Sequence, residues 1–131
     1  MTSISQNKEL VRRFNDEFIS GQQIAAFHEL VSPDFINHAA PPGRQGFDDT
    51  IYFFKEILWP ALTDMKVEIL EQVGEGDRVV TRKLLHAIHQ QEFMGVPPAH
   101  KPVALRVIDI WRVVDGKMAE HWGMLDFNDL R

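Results

Sequence analysis

Asp109 is the side chain of this sequence best placed to do chemistry. It lies in "RVIDIWRVVDGKMAEHWGMLD", residues 106–126, where its companions on one side of an extended chain, Leu105, Val107, Trp111 and Val113, are apolar. A carboxylate on such a face loses hydration, so the expectation is a raised pKa and a usable general acid/base near neutral pH. The opposing reading is a structural carboxylate tied to an arginine or a backbone amide. Of the histidines, His38 follows Asn37 in a loop after a short strand, and His89 lies in "HAIHQQEF". His86 and His89 are three residues apart, so strict alternation turns only one of them inward.

The hairpin turn fixes an expected register. Asp115-Gly116 between two strand-like runs is a strong two-residue hairpin signal. Val114 then pairs with Lys117, and counting outward sets Trp111 opposite Glu120, Asp109 opposite Trp122 and Val107 opposite Met124. On this register Trp122 and Met124 share the pocket face with Val107, Asp109 and Trp111. Arg106, Ile108, Ile110, Arg112, His121, Gly123 and Leu125 form an outer face, where His121 takes a packing or interface role. A bulge in either strand would overturn the count.

Other chemistries find little support. His86, His89 and Glu92 have a spacing that suits a helix better than the strand their setting implies, and the HExxH arrangement is absent. No metal site is therefore expected. There is no GxSxG, Walker or GxGxxG motif, and no cysteine for a disulfide, a thiolate site or a nucleophile. The net charge of −5 and the lack of a basic stripe argue against nucleic acid. The N-terminal stretch has no apolar leader-like run and no segment is long enough to span a bilayer, so a cytoplasmic protein without membrane contact is expected.

The elements that must position these residues form one domain over residues 1–131. Helical spacing covers Ser5 to Gly21, a shorter stretch around Ile24 to Val31 that stops at Ser32-Pro33-Asp34, and Phe47 to Trp59 ending at Pro60. The period then becomes strand-like over Met65 to Val73, Arg78 to Phe93, Val103 to Val114 and Lys117 to Leu125. Helices first and long antiparallel strands afterwards mean an α+β fold, with a curled sheet and a pocket between its concave side and the helices.

Four segments in this order, "DFINH" (34–38), "GEGDRVVTR" (74–82), "HQQEFMGVPP" (89–98) and "DIWRVVDGKMAEHWGMLD" (109–126), resemble the SnoaL-like polyketide cyclases of the NTF2-like superfamily. The resemblance implies a conical α+β barrel that dimerises through its outer sheet face and works without metal or cofactor. It implies Asp109 as the acid/base for an intramolecular aldol closure, helped by His38 and His89. Asn37, Val107, Trp111, Trp122 and Met124 would line the substrate site. The chain departs from the pattern at Ala87-Ile88 and Gln91, and at Ala99-His100 in the loop after Pro97-Pro98, positions that bear on substrate identity. The expected function is a cofactor-independent cyclase, isomerase or lyase acting on an apolar carbonyl compound. The alternative is a non-catalytic module that binds a small molecule or a protein.

Overall fold

The computed structural model describes residues 2–130. Helix α1, Ile4–Arg13, starts at a reciprocal cap in which Ser3 Oγ accepts the Gln6 N–H and the Gln6 side chain accepts the Ser3 N–H. It runs directly into a wider, π-helical segment, Phe14–Ser20. Helix α2, Ile24–Leu30, leads into strand β1, Val31–Asn37, which absorbs the Ser-Pro-Asp stop. Helix α3, Phe47–Tyr52, likewise widens over Phe53–Leu58. It closes with a last turn, Trp59–Ala61, so the helix ends one residue beyond Pro60 rather than at it. The indole N–H of Trp59 donates to the Ile19 carbonyl and ties this last turn to the widened segment Phe14–Ser20.

Four further strands follow: β2, Leu62–Glu75; β3, Arg78–His89; β4, Pro102–Val114; and β5, Lys117–Leu125. They form one sheet in the order β1-β5-β4-β3-β2, antiparallel throughout except for the parallel β1–β5 pair. β3 stops at His89, four residues short of the expected Phe93, because the chain turns into a loop that includes a Phe93–Val96 bridge. Two register shifts in β2 interrupt its ladder with β3, the kind of irregularity that bends a strand and adds to the curl of a sheet. The fold is α+β as expected, but the sheet is open. β1 and β2 lie at opposite edges without pairing, and helices cover one face.

That covered face holds the core. Phe14, Phe18 and Phe27 from the helical layer meet Leu105, Trp111 and Met118 from β4 and β5. Phe14 packs edge-on against Trp111, and Phe35 of β1 stacks on the same indole. Among the described residues, no helix is long and apolar enough to cross a membrane.

Candidate active site

β4 presents Leu105, Val107, Asp109, Trp111 and Val113 inward, as alternation requires. Asp115 and Gly116 both have positive φ, the type I′ geometry, and Val114 pairs with Lys117. Two residues later the expected register fails. Ala119 is skipped, so Arg112 pairs with Glu120, Trp111 with His121, Asp109 with Gly123 and Val107 with Leu125. From Glu120 onward this bulge exchanges the two faces of β5.

The exchange corrects three placements. His121, expected outside, lies inside beside Asp109, its Nε2 3.7 Å from Asp109 Oδ2 and its ring against Trp111. Trp122, expected in the pocket, lies on the outer face, stacked on His38 and covered by the Arg78 guanidinium. Met124 also turns outward and is 82% exposed, touching only the edge of the cavity mouth. Gly123 leaves the space that His121 needs. A Cβ there would come within 2.9 Å of the His121 ring and 3.2 Å of Asp109 Cβ.

Neither expected histidine partner stands beside Asp109. Asn37 and His38 are consecutive in an extended chain and point to opposite sides. Asn37 lines the cavity, while His38 bonds Glu120 at 2.8 Å on the outer face. The hydrogen bond from His38, then that from Arg112, hold the Glu120 carboxyl below its ordinary value. His89 does face inward and is fully buried, with His86 outside on Glu68. It is buried in the core and absent from the cavity lining, with neither ring nitrogen partnered among the described residues. It lies six residues from Lys83, about 20 Å of extended strand.

The partner of Asp109 is Lys83, which the sequence reading did not single out. Lys83 Nζ is 2.9 Å from Asp109 Oδ2, and both side chains are almost wholly buried. The ammonium also donates to Asn15 Oδ1 at 2.6 Å, and the Asn15 amide donates in turn to the Val11 carbonyl. In register, Lys83 lies opposite Val107 and Thr81 opposite Asp109, so the two charges are diagonal neighbours on one face. Burial pushes the Asp109 carboxyl up, but Lys83 and His121 together outweigh it and hold the group below the ordinary aspartate value. The expected upward shift is thereby reversed. Its cause is a buried cation at a strand position where Leu84-Leu85 obscures the alternation.

Asn37 sets the proton on His121. Its Oδ1 accepts the Ala39 backbone N–H at 3.1 Å, which identifies this atom as the oxygen, and it contacts His121 Nδ1 at 2.8 Å. Nδ1 therefore carries a proton, and it is the doubly protonated ring, whose Nε2–H also faces Asp109 Oδ2, that lowers the carboxyl. Asp109 Oδ1 has no partner among the described residues, and the same holds for Trp111 Nε1 and Thr81 Oγ1.

Above these groups lies a cavity of about 810 Å³, within the range of small-molecule sites. Phe14, Phe35, Phe53, Phe54 and Val107 supply apolar wall. Lys83, Asp109, His121 and Asn37 are its polar groups on the sheet side, with Arg44, Asp49, Thr50 and Tyr52 also in the lining. The two widened helical segments contribute from one side, a setting in which π-helical turns recur at functional sites. The arrangement can hold an apolar molecule against one carboxylate oxygen, one imidazole and one ammonium.

A family model for the SnoaL-like polyketide cyclases matches residues 9–131. No curated protein matches the chain. Among solved structures, the chain is similar to IdmH from Streptomyces antibioticus, with 28% identity, a TM-score of 0.82 and coverage of 95% of each chain. It is similar to AclR from Streptomyces galilaeus, with 26% identity and a TM-score of 0.82, covering 98% of this chain and 94% of that one. TsrD from Streptomyces laurentii shares the fold at 19% identity, with a TM-score of 0.86 and coverage of 99% and 95%. Helices against a curved sheet, as in the NTF2-like neighbours, and a family match over nearly its whole length give one assignment: the chain belongs to the SnoaL-like polyketide cyclase family.

Proposed function

We propose that this protein is a cofactor-independent acid/base enzyme that removes a proton next to a carbonyl of an apolar small molecule, with Asp109 as the base. The observation that carries the reading is a buried carboxylate in an apolar cavity, with one oxygen bound to Lys83 and the other, also buried, without a partner among the described residues. Lys83 keeps that carboxyl ionised, so it is ready to accept a proton but is a weak base. A weak base suits an acidic carbon, such as the methylene between two carbonyls, better than an isolated ketone. The favoured substrate class is therefore a 1,3-dicarbonyl chain with an apolar body, as a polyketide provides. Asp109 Oδ1 takes the proton, the enolate carbon attacks a second carbonyl of the same molecule, and the new alkoxide recovers the proton. His121 Nε2, 3.7 Å from the carboxylate, can relay it.

The ion pair also favours a second reading. A fully buried Lys83–Asp109 pair accounts for the carboxylate structurally, and the cavity would then only hold a ligand. Hydrogen–deuterium exchange separates the two. Aryl-substituted 1,3-diketones are incubated in deuterated buffer with the wild type and with Asp109→Asn, and solvent exchange at the central carbon is followed by proton NMR. Protein-accelerated exchange that falls at least about 100-fold in the variant, with diketone affinity retained, supports the enzyme. Equal exchange in the two proteins leaves the binding module.

A further inference from the structure

We propose that Lys83 is itself a catalytic residue, whose remaining N–H holds the oxygen on which negative charge develops. The inference deepens the acid/base reading above and rests on it. An ammonium carries three N–H groups. Two are committed, to Asn15 Oδ1 at 2.6 Å and to Asp109 Oδ2 at 2.9 Å, and among the described residues no further acceptor is bonded to the third. Lys83 lines the cavity from which Asp109 would draw its proton.

The charges give this donor its timing. Before proton transfer, Lys83 and Asp109 neutralise each other, and a neutral substrate carbonyl gains little from the pair. Once Asp109 takes the carbon proton, its charge is gone and the ammonium has lost its counter-ion. In the same step a negative charge appears on the substrate oxygen. Lys83 thus attracts that oxygen most strongly after the proton has moved, the condition for lowering a barrier rather than only tightening binding. No reorganisation is required. Asn15 is fully buried, its NH2 is committed to the Val11 carbonyl, and its oxygen keeps the ammonium in place.

The test uses para-nitrophenol, whose neutral and ionised forms absorb at different wavelengths, as a mimic of the enolate. Asp109→Asn imitates the protonated carboxyl, leaving Lys83 without its counter-charge. Nitrophenol bound to this variant should show the ionised band at a pH where the free phenol is mostly neutral, its ionisation constant increased about tenfold or more. In Lys83→Met/Asp109→Asn the band should be lost. Thermal melts establish that each protein is folded. Should Asp109→Asn not fold, Asp109→Ala, which also removes the counter-charge, is compared with Lys83→Met/Asp109→Ala, and loss of the ionised band in the latter is the supporting result. Equal spectra with and without Lys83, or no binding to the protein that retains it, overturn the inference. Diketone exchange lost in Asp109→Asn while nitrophenol stays neutral would keep the acid/base reading and remove Lys83 from it.

Discussion

A buried carboxylate and a buried ammonium 2.9 Å apart make each other necessary. Removing one leaves the other charged in a dry setting, which costs about 3–5 kcal/mol, whereas replacing both can be close to neutral. Asp109→Asn and Lys83→Met should each lower the unfolding free energy by about that amount, and the double variant should lose less than the sum. Urea titrations of the four proteins measure this coupling, and additive losses would mean that the pair is not coupled. The depressed Asp109 pKa adds a pH dependence of known sign. A carboxyl whose folded pKa lies below its unfolded one binds fewer protons when folded. Its contribution to stability is complete above the unfolded value and is lost as pH falls through the folded one. The wild type should therefore lose more stability than the double variant over the acid range below the ordinary aspartate pKa. Parallel curves for the two proteins in that range would contradict the assignment.

The element that decides the site is the bulge at Ala119. Deleting Ala119 would remove the bulge and leave Arg112 opposite Glu120, Trp111 opposite His121 and Asp109 opposite Gly123 in a regular ladder. Glu120 would keep Arg112 and His38 on the outside, and His121 would keep its place beside Asp109. The deletion should fold and stay within about 2 kcal/mol of the wild type in urea unfolding, with diketone exchange retained, and Ala119→Gly should stay within about 1 kcal/mol. A deletion that loses several kcal/mol or abolishes exchange would show that the bend the bulge puts into β5 is itself required. The element also marks how far the sequence could be read. The Asp-Gly turn, the inward set of β4 and the choice of Asp109 as its buried acid follow from local pattern. The bulge depends on contacts from distant segments: Val113 N–H donates to the Asp77 carbonyl, and β1 pairs with β5 through Met118 and then Glu120. A local window contains neither. Gly123 was the readable trace, since a glycine opposite the acid leaves room for the His121 ring. Lys83 was hidden for a different reason. Leu84 and Leu85 put an apolar residue on each face of β3, so the strand's parity could not be assigned from hydrophobicity alone.

At the scale of the molecule, the sheet face away from the helices carries apolar surface with no cover of its own. Ile108, 53% exposed, pairs across strands with Met124, 82% exposed, and Ile110 pairs beside them with Trp122. The arginines around this strip are neutralised within the chain, Arg82 by Glu71, Arg112 by Glu120 and Arg106 by Asp126 and Asp129. A strip of this kind, flanked by charges already paired, can meet its own copy about a twofold axis without burying an unpaired charge. We propose a homodimer through this face. Sedimentation at micromolar concentration should give a dimer for the wild type and a monomer for Ile108→Arg, and a monomeric wild type would end the proposal. The cavity opens on the other side of the sheet. The Ile108→Arg monomer should therefore keep diketone exchange within about twofold of the wild type, because a substitution on the outer face leaves the Lys83–Asp109–His121 contacts intact. A monomer that is folded but inactive would place the dimer contact in support of β4 itself, the strand that carries Asp109.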